Sequence, residues 1–227
     1  MGLGKSLTAI TTLHTAMTSS SMKSQAPNVQ LVRTALCIVP ANTLVNWQNE
    51  VQKWTQDLRT PLKYFQLGGV MPGYRSHEIQ RWKRDGGLLL LGDGMFLKLA
   101  SEILKTAQPD VLFLDEAHTM LKNDRTQTFL KLKQIKTKRI ILTTGTPLQN
   151  NLTEYYHMCE FMRPGVLGAK SVKEFEDLYR YVTSEWNDAH FSLLARSPLH
   201  HCTNFTFAMA GDLSNLVSQV ILLRSRN

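Results

Sequence analysis

The chain has 227 residues, 43% of them hydrophobic, and a formal net charge of +8. That suffices for one large domain or two small ones around a sizeable core, and the basic excess favours a polyanionic partner such as nucleic acid. No apolar run reaches the ~18 residues of a membrane span, and the Gly/Ser/Thr-rich start has no secretory core. The cysteines Cys37, Cys159 and Cys202 form no Cys-x-x-Cys pair and fit a reduced compartment better than a disulfide framework.

Taken in chain order, Met1-Gly2-Leu3-Gly4-Lys5-Ser6 closes in Gly-Lys-Ser, the end of a P-loop. The same residues fit Met-Gly-x-x-x-Ser, an N-myristoylation pattern, but only the phosphate reading gains support further along. Leu7, Ile10, Leu13, Ala16 and Met17 are spaced for a helix over 5–18, whose first amides and positive dipole end would face an anion. Residues 19–31 read as a loop. Leu31–Val39 reads as a buried strand stopped by Pro40. Asn42 or Thr43 is placed to cap a helix over 43–55, with Leu44, Trp47, Val51 and Trp54 on one side as core packing. A short strand at Leu62–Leu67 precedes the breakers Gly68-Gly69 and Pro72-Gly73. Then come a strand at Leu88–Leu91, Gly92-Asp93-Gly94, a helix over 95–105, the strand Val111–Leu114, a helix over 125–134 and the strand Arg139–Leu142. Residues 152–182 read as helical with a Pro-Gly break at 164–165, and 212–223 as an apolar helix or strand.

Alternating helices and short, continuously apolar strands predict an α/β fold: a parallel sheet covered on both faces. The P-loop, Pro40, Gly92, Asp115 and Thr144 fall at strand carboxyl ends, the edge where such sheets bind ligands. At the P-loop, Gly2, Leu3 and Gly4 would present backbone amides to phosphates, Lys5 would reach the β- and γ-phosphates of ATP, and the Ser6 hydroxyl would ligate Mg2+. Asp115 ends a buried strand, where an unpaired carboxylate is costly, so a magnesium ion supplies the compensating charge. Glu116 is the candidate base for the attacking water. Thr143-Thr144-Gly145-Thr146-Pro147-Leu148-Gln149-Asn150-Asn151 is a strand end with small hydroxyl residues and amides, able to sense a γ-phosphate on one side and hold a nucleic-acid backbone on the other. The basic run Lys131, Lys133, Lys136, Lys138 and Arg139 reads first as a solvated helix face and second as a DNA-facing patch. His190, His200, His201 and Cys202 lack zinc-site spacing.

Met-Gly-Leu-Gly-Lys-Ser, then Ile38-Val39-Pro40-Ala41-Asn42-Thr43-Leu44-Val45-Asn46-Trp47, then Asp115-Glu116-Ala117-His118 with Leu121-Lys122-Asn123, then Thr144-Gly145-Thr146-Pro147-Leu148-Gln149-Asn150-Asn151, together resemble the SWI/SNF-type chromatin-remodelling ATPases, helicase-like DNA translocases. Leu152–Gly168 looks most like their ATRX-like branch. The resemblance covers residues 1 to about 180. It implies a RecA-like P-loop NTPase lobe one over 1–150, its first strand missing, and a mostly helical extension over 151–227. It implies ATP and Mg2+ at Lys5, Ser6, Asp115 and Glu116. It implies coupling of the nucleotide site through His118 to Thr144, Gly145 and Thr146, and contacts of Pro40, Asn42, Gln149 and Asn150 with DNA phosphates. Such contacts carry no sequence information and suit tracking along any duplex.

The resemblance further implies double-stranded DNA and nucleosomes as partners, a second RecA-like lobe elsewhere, a nuclear location and no membrane. Several residues depart from the family pattern. No strand and no Ala-Asp-Glu precede the P-loop, Asp-Glu-Ala-His lies one residue further from Lys122-Asn123, Thr143 replaces a Leu, and Gly92-Asp93-Gly94 replaces a Gly-Tyr stretch. No segment resembles the second lobe. The chain is therefore expected to be a fragment of a larger motor, with little or no turnover alone; a non-catalytic nucleotide- or DNA-binding module is the alternative.

Overall fold

The computed structural model describes residues 4–18, 32–106, 108–137, 139–145, 152–177, 205–208 and 220–224. The continuously apolar segments become strands buried along their whole length: β1 (Thr34–Val39), β3 (Gly87–Gly92) and β4 (Val111–Leu114). With β2 (Tyr64–Gln66) and β5 (Arg139–Thr144) they form a parallel array in the order β2-β3-β1-β4-β5. The α/β, RecA-like expectation therefore holds.

Strand alternation sorts the core into two layers. Ala35, Cys37 and Val39 of β1, Leu88 and Leu90 of β3, and Phe113 of β4 meet α1 (Lys5–Thr18) through Ala9, Ile10 and Leu13. They also meet α2 (Leu44–Thr55) through Trp47 and Val51. The intervening residues, Leu36, Ile38, Leu89, Leu91, Leu112 and Leu114, face the other layer. That layer holds α3 (Arg75–Asp85), α4 (Asp93–Thr106), α5 (Ala117–Leu121), α6 (Gln127–Lys133) and α7 (Leu152–Met162). From β1 the chain runs outward to β2, whereas from β3 it crosses β1 to reach β4. The two directions part beside β1, the switch point at whose carboxyl side open α/β sheets bind ligands. At the opposite edge Asp110 Oδ2 accepts the backbone N–H groups of Arg33 (2.8 Å) and Thr34 (2.9 Å), fixing the start of β4 to the start of β1.

Some expectations need correction. The mostly helical C-terminal extension is helical at Leu152–Met162 and at 172–177 but also carries two strands, Phe205–Ala208 (β6), where no element is expected, and Val220–Arg224 (β7), one of the two states open to its apolar run. They continue the sheet past β5 as an antiparallel pair, so the sheet is mixed at that side. α3 has no counterpart among the expected elements, because its sequence is dominated by charged residues. Its signals are the Ile79/Trp82 spacing, Lys83 and Arg84 in the last turn, and Gly86 at the C-cap with φ 76°. Thr43 stands at the start of α2 but does not cap it; its hydroxyl donates to Pro40 O (2.9 Å) across the 3-10 turn Ala41–Thr43. Trp54 is exposed, with its indole N–H on Glu50 (2.6 Å). The buried line Trp47–Val51–Thr55 advances by four residues on a 3.6-residue helix and drifts away from it.

Candidate functional site

Asp115 follows directly on β4 and shares the strand face of Phe113, two residues earlier, so its carboxylate points into the α1/α2 layer. It is 7% exposed. A carboxylate so placed must be hydrogen-bonded, and both oxygens are. Oδ2 accepts the Trp47 indole N–H (2.8 Å) and Oδ1 accepts the Thr143 hydroxyl (2.7 Å). The β4–β5 register pairs Phe113 with Ile141 and Leu114 with Leu142, and the next step brings Asp115 opposite Thr143. Trp47 reaches over from α2 with its ring edge-on to Phe113, centroids 5.0 Å apart.

Glu116 turns the chain from β4 into α5 in the left-handed region, φ 46° and ψ 48°. It is the one non-glycine with positive φ among the described residues. Side chains disfavour that region, and such residues concentrate at functional sites. The turn sends Glu116 away from the face used by Asp115 and toward the amino end of α1. There Oε1 accepts from Lys5 Nζ (3.0 Å) and Oε2 from the Gly145 N–H (3.0 Å). His118 Nδ1 lies 3.5 Å from Oε2 and 2.7 Å from the Thr144 hydroxyl. Burial pushes the Glu116 carboxyl up, but the Gly145 N–H, the Lys5 ammonium and His118 outweigh it, and the group sits below the ordinary glutamate range. An anionic, partly exposed carboxylate is thus held at the carboxyl edge of the sheet.

Gly145 makes the space. A Cβ there would lie 3.0 Å from Lys5 Nζ and 3.5 Å from Glu116 Oε1. This is a cradle that a side chain would fill. Gly92, at the end of β3, likewise lets Ala41 approach to where a Cβ would meet it at 3.3 Å, which seats the Pro40–Thr43 turn at the same edge. Pro40 is half-buried and Asn42 exposed.

The site residues expected from sequence thus fall into two sets. Gly4, Lys5, Ser6, Asp115, Glu116, His118, Thr144 and Gly145 gather at the carboxyl edge of β4 and β5 and at the start of α1, with Pro40 and Asn42 at the end of β1. Gly2, Leu3, Thr146, Gln149 and Asn150 lie outside the described residues, as do Lys138, His190, His200, His201 and Cys202. The basic run sits at the other edge. Lys131 Nζ donates to Ser101 Oγ (3.1 Å), Lys133 lies over the Phe129 ring, and Lys136 is exposed near the start of β5, in keeping with a solvated helix end. From sequence Trp47 has only a packing role, and Thr143 is one hydroxyl residue of the γ-phosphate-sensing segment with no assigned tie to Asp115. The signal for Trp47 was its indole N–H, which needs an acceptor when buried.

The donor set suits a hydrated magnesium ion carried with a triphosphate. One hydroxyl (Ser6) and one carboxylate (Asp115) near the start of a helix are the sparse ligation that Mg2+ takes beside phosphates and water. Groups of three or more His, Cys, Asp and Glu arranged for a metal are absent among the described residues.

Residues 1–223 match the SNF2-related domain. The chain belongs to the SNF2-related family. Protein CHROMATIN REMODELING 20 of Arabidopsis thaliana is 38% identical over 193 residues, covering 79% of this chain and 12% of that protein. Transcriptional regulator ATRX of Mus musculus is 36% identical over 196 residues, covering 79% of this chain and 8% of that protein. The Drosophila melanogaster homologue of ATRX is 32% identical over 185 residues, covering 74% and 14%. The chain therefore spans between 8% and 14% of the length of these SNF2-related proteins. Among the described residues no helix is long and apolar enough to cross a membrane.

Proposed function

We propose that this chain is the ATP-binding lobe of a DNA-dependent ATPase, a translocase that acts on chromatin in the nucleus as part of a longer motor with a second lobe. The observation that carries the reading is the convergence of Lys5 and Glu116 across the Gly145 cradle, with buried Asp115 one residue away. In this reading the α1 amides and Lys5 bind the phosphates of ATP, and Ser6 and Asp115 hold the accompanying magnesium, which neutralises phosphate charge. Glu116, kept anionic by the Gly145 N–H, accepts the proton of the attacking water once Lys5 has turned from it to phosphate. His118 bridges Glu116 to Thr144 and so links the nucleotide site to the segment from Thr144 to Asn150. That segment and the Pro40–Asn42 turn are the proposed contacts to the phosphates of double-stranded DNA, including nucleosomal DNA.

The test is equilibrium binding of Mg–ATP to the 227-residue chain, with Lys5→Ala alongside. Saturable binding that Lys5→Ala weakens supports the reading. A folded chain with no affinity for ATP, with or without Mg2+, sinks it. In a longer protein that contains this segment, DNA-stimulated hydrolysis should depend on Lys5 and Glu116.

A further inference from the structure

A carboxylate offers about four acceptor sites, two on each oxygen. At Asp115 one site on each oxygen is filled from inside the protein, Oδ2 by Trp47 Nε1 at 2.8 Å and Oδ1 by Thr143 Oγ1 at 2.7 Å. Both donors are fixed. Trp47 is 3% exposed and locked against Phe113, and Thr143 is 0% exposed within β5. Two donors on opposite oxygens fix both the tilt and the rotation of the carboxylate plane, which one donor would not. Among the described residues no other side chain is shown donating to either oxygen, so one acceptor site on each can serve a ligand. The Thr143 hydroxyl has a second acceptor within reach, Leu114 O at 3.3 Å, but the shorter bond goes to the charged oxygen.

We infer that Trp47 and Thr143 are positioning residues that present Asp115 to a magnesium ion and thereby set how strongly nucleotide binding depends on that ion. The inference rests on the nucleotide-site reading above. It separates Thr143 from a bland strand residue, because an apolar side chain at that position would leave Oδ1 without its inner donor. Outer partners of metal ligands commonly change metal affinity by 10–100-fold.

The experiment measures ATP affinity of the full chain by titration at a series of Mg2+ concentrations and again in chelator, for wild type, Thr143→Val, Thr143→Ser, Trp47→Phe and Lys5→Ala. Melting curves accompany each variant. Thr143→Val and Trp47→Phe are expected to raise the Mg2+ concentration needed for half-maximal tightening by about tenfold, with affinity in chelator unchanged. Thr143→Ser, which restores the hydroxyl, should return it to within about twofold. Trp47→Phe keeps the aromatic packing, so it remains informative should Thr143→Val fail to fold. An unchanged Mg2+ dependence in both variants, while Lys5→Ala still weakens binding, overturns this inference and leaves the nucleotide site standing. Equal weakening with and without Mg2+ also overturns it, since that is what a merely structural role would give. Absence of ATP binding in the wild type overturns both readings together.

Discussion

Lys5 and Glu116 stand 111 positions apart in sequence, yet Nζ of one lies 3.0 Å from Oε1 of the other. The pair is partly exposed, 22% and 30% of the two side chains, so its contribution to folding stability is small. Its interest is chemical. It puts the cation that would meet a γ-phosphate beside the carboxylate that would take a proton from water, and the two must separate for both to act.

Single substitutions at these two positions should therefore divide binding from turnover. Lys5→Ala removes a charged donor to phosphate, a bond worth about 1.5–3 kcal/mol, and should weaken ATP binding by tenfold or more without unfolding the chain. Glu116→Gln keeps the shape and loses the proton acceptor. It should leave ATP affinity within a few-fold and lower turnover of a longer, active protein by about 10²–10⁴. Calorimetric titration and steady-state hydrolysis assays read the two effects; a Glu116→Gln protein that hydrolyses ATP normally removes the base from the mechanism.

Glu116 also predicts an acid limb. Its carboxyl sits below the ordinary range because the Gly145 N–H and Lys5 outweigh the burial that pushes it up. A depressed native value means that its contribution to stability is fully present above the unfolded value of about 4.3. It is lost as pH falls from there through the native value. Lys5→Met removes one of the two main opposing causes, so the Glu116 carboxyl should titrate at higher pH in that variant. Side-chain carbon NMR titration measures both. An equal or lower value in Lys5→Met contradicts the assignment of Lys5 as a cause.

Stability should respond sharply at the start of β3. Gly87 has φ 119°, and a Cβ there would lie 2.6 Å from the backbone oxygen of Lys63, an atom that β2–β3 pairing holds in place. Its own carbonyl accepts the indole N–H of fully buried Trp82 (2.9 Å). Gly87→Ala is expected to cost about 1–3 kcal/mol from backbone strain. Gly73→Ala, with open space around the added carbon, should stay within about 0.5 kcal/mol. Denaturant midpoints compare them, and equal midpoints would show that the β2–β3 junction relaxes freely.

The parallel array and its ligand edge were legible because apolar runs such as Leu88–Leu91 and Val111–Leu114 require a doubly covered sheet, and Lys5, Asp115 and Glu116 carry recognisable spacing. What was illegible has physical causes. α3 owes its place to only two large apolar side chains, Ile79 and Trp82, among charged neighbours. β7 takes its state from pairing with β5 rather than from its own pattern, since a short apolar run suits helix and strand alike. The donors on Asp115 have no local signature, because the hydrogen bond from Trp47 joins α2 to the residue after β4, 68 positions away, and the apolar spacing of Trp47 is already accounted for by packing.

Gly145 borders both Lys5 and Glu116 and lends its N–H to the latter. Alanine keeps that N–H, and no positive φ stands in its way. The added methyl meets first the far end of a flexible lysine, at 3.0 Å, and then carboxylate oxygens at 3.5 and 3.7 Å. The fold should thus lose less than about 1 kcal/mol, while Lys5 is displaced and the cradle between cation and carboxylate is narrowed. If that cradle receives the terminal phosphate and the attacking water, Gly145→Ala should weaken ATP binding or turnover by at least about tenfold, the size expected from misplacing groups at a reacting centre. Paired denaturation and ATP-titration measurements on the same variant decide it. A stable Gly145→Ala protein with wild-type affinity and wild-type turnover would mean that the space beside Glu116 is not where the nucleotide sits.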